Sequence, residues 1–148
     1  MALDVEAVQA ALFARLQAQV TGVAFSSRIL FSLENLSAAQ RPAMLVVSQR
    51  AQSQNDNVHQ QLWRLSSLVI LYVQVEQGVV PETVLFGLIK LVETALQHQN
   101  TEPNYDAAAA TSLGGLVRYA RLIDHEIHHG AGNRLAAATL TVEMLASE

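Results

Sequence analysis

The chain has 148 residues, 51% of them hydrophobic and only 15% charged, with a net charge of −4 and no cysteine. A domain of this length buries a sizeable core without covalent staples, and the missing thiols exclude disulfides, thiolate zinc sites and cysteine nucleophiles together. The eight arginines and one lysine are scattered, which excludes the basic stripe of a sequence-reading nucleic-acid binder.

Charged residues are scarce against a usual share of about 25%. Either both faces of a sheet are covered, or apolar surface is kept for partners. The longest apolar run, residues 68–73, is far too short to span a bilayer. The first residues show no basic segment followed by a long apolar run, so a soluble chain without a signal peptide is expected.

Val5, Val8, Leu12, Phe13, Leu16 and Val20 recur at helical spacing between Asp4, a good N-cap, and Gly22. This pattern predicts a helix over residues 5–19, with Glu6, Gln9, Arg15 and Gln17 outward. A β-prone segment follows at 23–31, then a polar stretch over 32–41. Pro42 leads into a short buried strand, 43–49. Residues 50–59, rich in Gln, Ser, Asn and Asp without apolar periodicity, predict a mobile loop.

Residues 62–75 form the strongest predicted strand. One face carries Trp63, Leu65, Val69, Leu71, Val73 and Val75; the other carries Leu68, Ile70 and Tyr72, with Arg64 and Gln74 towards its ends. A strand apolar on both faces is expected to be covered twice. With few helices available, a neighbouring subunit is a candidate for the second cover.

Gly78 ends that strand. Pro81 starts a second helix with Glu82 in its first turn. Val84, Leu85, Leu88, Ile89, Val92 and Leu96 make its buried stripe, ending near Gln97. Residues 98–112 form a long connection, and loops of that length are usually functional or disordered. After Leu113-Gly114-Gly115, residues 116–127 alternate as a strand, with Val117, Tyr119, Ile123 and Ile127 on one parity. A turn at 130–133 and a last strand at 135–145 complete a hairpin. The predicted order is αβββαββ in one domain, 1–148: two helices on one face of a mostly antiparallel sheet, the α+β class.

His125-Glu126-Ile127-His128-His129 satisfies the H-E-x-x-H pattern. On a helix, the two outer imidazoles share a face and bind zinc while the glutamate activates water. On a strand, residues four apart lie ~13 Å apart, too far to share an ion. Strand is the favoured reading, and a longer zinc motif would need histidine where Leu135 stands. The bland reading is a polar hairpin end with exposed histidines; His59 and His98 read as solvated. No Gly-rich phosphate loop and no G-x-S-x-G elbow is present.

Taken in order, several short segments together resemble the tail terminator (tail completion) proteins of long-tailed bacteriophages. They are VQAALFARL at 8–16, Ser27-Arg28 before a short strand, and Arg41-Pro42-Ala43 entering a strand. Then come Leu71-Tyr72-Val73, a helix from Pro81 to Ala95-Leu96, and TSLGGLV at 111–117. Ile29-Leu30-Phe31 is more apolar than the family pattern, and the histidine cluster is unusual for it.

The resemblance implies a subunit that is monomeric or weakly associated alone and forms a ring, typically hexameric, on the finished tail tube. The ring stops tube polymerisation and presents the head-docking surface. Its partners would be copies of itself, the tail tube protein and head–tail connector proteins, with DNA passing through without sequence-specific binding. It implies a virion location at the head-proximal end of the tail after synthesis in the bacterial cytoplasm. Catalysis, cofactor and membrane have no part in it. The competing readings are another phage structural module, such as a head–tail connector component, and a small zinc hydrolase built on His125, Glu126 and His129.

A closed ring needs two different complementary faces on each subunit. The two-sided strand and the segments 50–59 and 98–112 are candidates to supply them. Arg28, Arg50, Arg64, Arg118 and Arg121 are the candidate interface cations, pairing across subunits with carboxylates such as Asp56 and Asp124, since arginine suits bidentate interface pairing.

Overall fold

In the computed structural model, residues 3–57, 60–97, 110–130 and 134–147 are described, and they follow the αβββαββ order. Helix α1 is Val5–Gln19 and starts where Asp4 accepts a hydrogen bond from the Ala7 N–H at 3.0 Å, as an N-cap should. Val8, Leu12, Leu16 and Val20 are buried along one stripe. Two of the side chains expected outward are not. Gln9 is buried and its Oε1 accepts a 2.6 Å hydrogen bond from Ser67. Arg15 lies across the end of the second helix, donating to the carbonyls of Ala95 and Gln97. Both side chains are long enough to satisfy a distant polar group from a flank of the helix, and helical spacing is blind to that option.

A short strand β1, Phe25–Ser27, runs parallel to the start of β2, Ala43–Asn57. Between them the polar stretch forms two single 3₁₀ turns, Leu33–Asn35 and Ala38–Gln40. β2 pairs antiparallel with β3, Gln60–Gln74. The loop expected at 50–59 is instead strand up to Asn57 and again from Gln60. Cross-strand pairing with residues 60–66 imposes the extended conformation that the polar composition of this stretch concealed. His59, like His98, lies outside the described residues.

Helix α2 is Pro81–Ala95, with proline in its first turn as expected. Most of the connection after it lies outside the described residues, but Ala110 and Thr111 form single bridges to Gln97 and Ala120. The turn before the last hairpin uses left-handed backbone at Leu113, Gly114 and Gly115 (φ 52°, 73° and 94°), a conformation glycine adopts at little cost. Strand β4 is Tyr119–His129 and β5 is Leu135–Ser147. The strand order is β1-β2-β3-β5-β4, antiparallel except for β1.

Alternation divides the sheet. Leu65, Ser67, Val69, Leu71 and Val73 of β3 are buried, as are Ala136, Ala138, Leu140, Val142, Met144 and Ala146 of β5. This face packs on both helices as one core with Leu85, Leu88, Ile89 and Val92. On the second face, the chain between β1 and β2 folds over one end. Leu36 and Leu45 are buried there, and the Tyr72 hydroxyl donates to the Phe31 carbonyl at 3.3 Å. Further along that face, Arg64, Ser66, Leu68, Thr141 and Glu143 are half-buried or exposed. No described helix is long and apolar enough to cross a membrane.

The parity expected for residues 116–127 fails. Strand begins only at Tyr119, and a bulge at Ile123, between the paired Leu122 and Asp124, reverses the faces beyond it. A bulge inserts one residue and shifts every later side chain, which a period-two reading cannot anticipate.

The buried Gln9–Ser67 pair gives a stability test. Ser67→Ala alone is expected to lower unfolding free energy by about 1–3 kcal/mol, because it strands a buried amide. The double variant Q9L/S67A should recover most of that loss in urea melts.

Candidate assembly interface

Three of the predicted interface arginines converge on the second sheet face. Register sets Arg50 of β2 beside Ser66 of β3, Ser66 beside Glu143 of β5, and Glu143 beside Arg121 of β4. One row along, Gln52, Arg64, Leu145 and Tyr119 are aligned likewise. Side chains at successive paired positions on one face stand side by side, so residues about 80 apart in sequence, such as Arg64 and Leu145, become neighbours.

Glu143 holds the centre. The Tyr119 hydroxyl donates to its Oε1 at 2.9 Å and Arg121 Nη2 donates to the same oxygen at 3.2 Å. Arg64 Nη1 lies 3.8 Å from Oε2, and the Arg121 guanidinium sits 4.7 Å from the centre of the Tyr119 ring. The Glu143 side chain is 12% exposed. Burial alone would raise its pKa. The bonds from Tyr119 and Arg121 and the charges of Arg64 and Arg121 outweigh that and hold it below the usual carboxylate range. The same burial, with the bond to Glu143, pushes the Tyr119 phenol up. Arg50 and Arg64 line a shallow depression of ≈ 320 Å³ together with Glu143, Ser66, Thr141 and Ile123. Two guanidiniums on one carboxylate, with Arg50 along the same depression, leave the patch cationic.

The other predicted residues are dispersed. Arg28 makes a bidentate pair with Glu6 of α1, at 2.6 and 3.1 Å, and that bond lowers the Glu6 pKa. Arg118 is exposed just before β4, and its backbone N–H donates to the Leu145 carbonyl at 2.6 Å. Asp124 is exposed on the second face, paired with Thr141. Asp56 is on β2, and its side chain lies outside the described residues. Glu143, the residue on which the patch depends, was not among the predicted interface residues. Its only sequence signal was a lone carboxylate on the same parity as Thr139 and Thr141 in a strand otherwise without charge.

The H-E-x-x-H pattern lies on β4. His125, Ile127 and His129 pair with Leu140, Ala138 and Ala136, on the helix side of the sheet, whereas Glu126 pairs with Thr139 on the other side. His129 Nδ1 lies 3.0 Å from Glu82 Oε1 at the start of α2. The strand conformation therefore separates the two histidines and turns the glutamate away from both. Among the described residues, no group of three or more His, Asp or Glu gathers where a metal could be held.

No family model and no curated protein matches the sequence. Among solved structures, the fold is shared with a chain of the virion of a native gene transfer agent particle. That match has a TM-score of 0.58 at 8% identity and covers 95% of each chain. At that identity the likeness describes the fold alone.

Glu143 makes stability depend on pH. Its folded pKa is depressed, so its contribution is full above its unfolded value, about 4.3, and is lost as pH falls through the folded pKa. Glu143→Gln is expected to lower the melting temperature at pH 7. The gap from wild type should shrink below about pH 4, as followed by thermal unfolding across pH.

Proposed function

We propose that the chain is a virion structural protein that caps the finished tail tube of a tailed, phage-like particle as a ring. In this reading it halts tube polymerisation and offers the surface on which the head docks. The observation that carries it is the shared fold, end to end, with a chain of a gene transfer agent virion. The ordered segments from residue 8 to residue 117 add the tail-terminator resemblance. The second sheet face adds physical support. It combines half-buried Leu68 and Ile70 with an ordered arginine–tyrosine patch, the residue types enriched where proteins meet. The protein works by assembly, without catalysis or cofactor, and its partners are copies of itself, the tube protein and the head–tail connector. Hexameric closure follows the family pattern.

The shared fold supports a head–tail connector component equally, and location on the particle separates the two. The zinc-hydrolase alternative loses its support with the strand geometry of His125, Glu126 and His129.

Light scattering behind size exclusion, at low and high protein concentration, is expected to show a shift from monomer to one closed oligomer. Negative-stain images should show that oligomer at one end of tail tubes, with tubes no longer growing. A chain that stays monomeric and leaves tube length unchanged refutes the reading. Arg118→Glu, which touches none of the described ion pairs, is expected to move the assembly midpoint to higher concentration with an unchanged circular dichroism spectrum.

A further inference from the structure

The sheet has two unoccupied edges among the described residues. β1 covers only residues 43–45 of β2, so the outer edge of β2 over residues 46–52 has no strand against it. At the other end of the order, β4 meets only the single bridge from Thr111 to Ala120, and its outer edge over 121–129 is open. Each edge exposes a row of backbone donors and acceptors that another strand could satisfy. Neither stretch contains proline or lysine, the residues that commonly guard such edges.

On the second face the edges differ in charge. β2 presents Arg50, whereas β4 presents Asp124 and Glu126 beyond its bulge, and its one cation there, Arg121, is already held by Glu143. A bulge near the middle of each, at Gln49 and at Ile123, bends the edge and disfavours arbitrary straight partners. Because β2, β3, β5 and β4 alternate in direction, a second copy turned about an axis tilted to the strands brings its β2 antiparallel to the first copy's β4, with a two-residue stagger that moves Arg50 from the Arg121 row to the Asp124 row. That contact joins unlike surfaces, so it repeats from copy to copy until it closes.

We propose that a second copy of this chain occupies each edge: β4 of one subunit pairs antiparallel with β2 of the next, with Asp124 set against Arg50. The sheets then run continuously around the assembly. Backbone hydrogen bonds supply the adhesion, and the charge pair fixes the register. The pairing deepens the ring reading and rests on it for closure.

The chain has no cysteine, so the double variant R50C/D124C reports the register directly. Opposed residues of an antiparallel pair have Cα atoms about 4.5–5.5 Å apart, within the range a disulfide spans. Oxidation should give a ladder of covalent multimers ending at the closed oligomer and collapsing in reductant, while each single variant stays monomeric on non-reducing gels. In a charge-swap series, R50D and D124R should each raise the assembly midpoint at least tenfold, and R50D/D124R should restore it.

Closed oligomers that form without cross-links in R50C/D124C, and without rescue by the swap, overturn the edge pairing and leave the ring standing. Dimers from R50C alone mean that β2 pairs with itself and overturn it too. A chain that neither assembles nor cross-links, in solution or on tail tubes, removes the ring and the pairing together.

Discussion

Strand β3 is paired along almost its whole length on both sides, with β2 and with β5, and the rest of the molecule depends on that double pairing. Once both neighbours are in register, side-chain alternation in β3 dictates alternation across the sheet. Leu65, Val69, Leu71 and Val73 are driven to the helix side, and Ala136, Ala138, Leu140, Val142 and Met144 of β5 are aligned with them. Small residues at 136 and 138 let α2 lie close to the sheet, while leucines and valines elsewhere fill the space between the layers. A one-residue slip would expose the whole set, so the register is defended by most of the hydrophobic free energy of the domain.

The same register builds the second face. With two helices spent on one side, the chain between β1 and β2 is the segment that shields the other side among the described residues, and it reaches one end. Across the uncovered part the sheet lines up Arg50, Arg64, Arg121 and Glu143. A carboxylate so little exposed requires partners, and Tyr119, Arg121 and Arg64 satisfy it. Their side chains are thereby fixed before any partner arrives. Ordering arginines within the subunit lowers the entropy lost when they meet another surface. The patch thus stabilises the fold and suits the proposed assembly role by one arrangement.

The ring proposed for this chain requires a subunit that is stable by itself yet keeps surfaces that a neighbour completes. A main core on one side of the sheet meets the first condition. The exposed second face and the two unequal edges of the sheet are the features suited to the second.

Local pattern alone determined the α+β class, the αβββαββ order, the capped start of α1 at Asp4, the proline-led start of α2 and the alternation of β3, because each follows from residues within a turn or two of one another. The strand reading of residues 125–129 was also legible, from alternation in the segment around them. Tertiary structure alone decided the rest. It made strand of the polar residues 50–57, buried Gln9 against Ser67, inverted β4 at the Ile123 bulge, gathered Arg64 and Arg121 on Glu143 and set Arg50 in the same row. Each of these depends on a partner far along the chain, such as Ser66 for Arg50 or Tyr119 for Glu143, and no local period carries information about which distant strand will lie alongside.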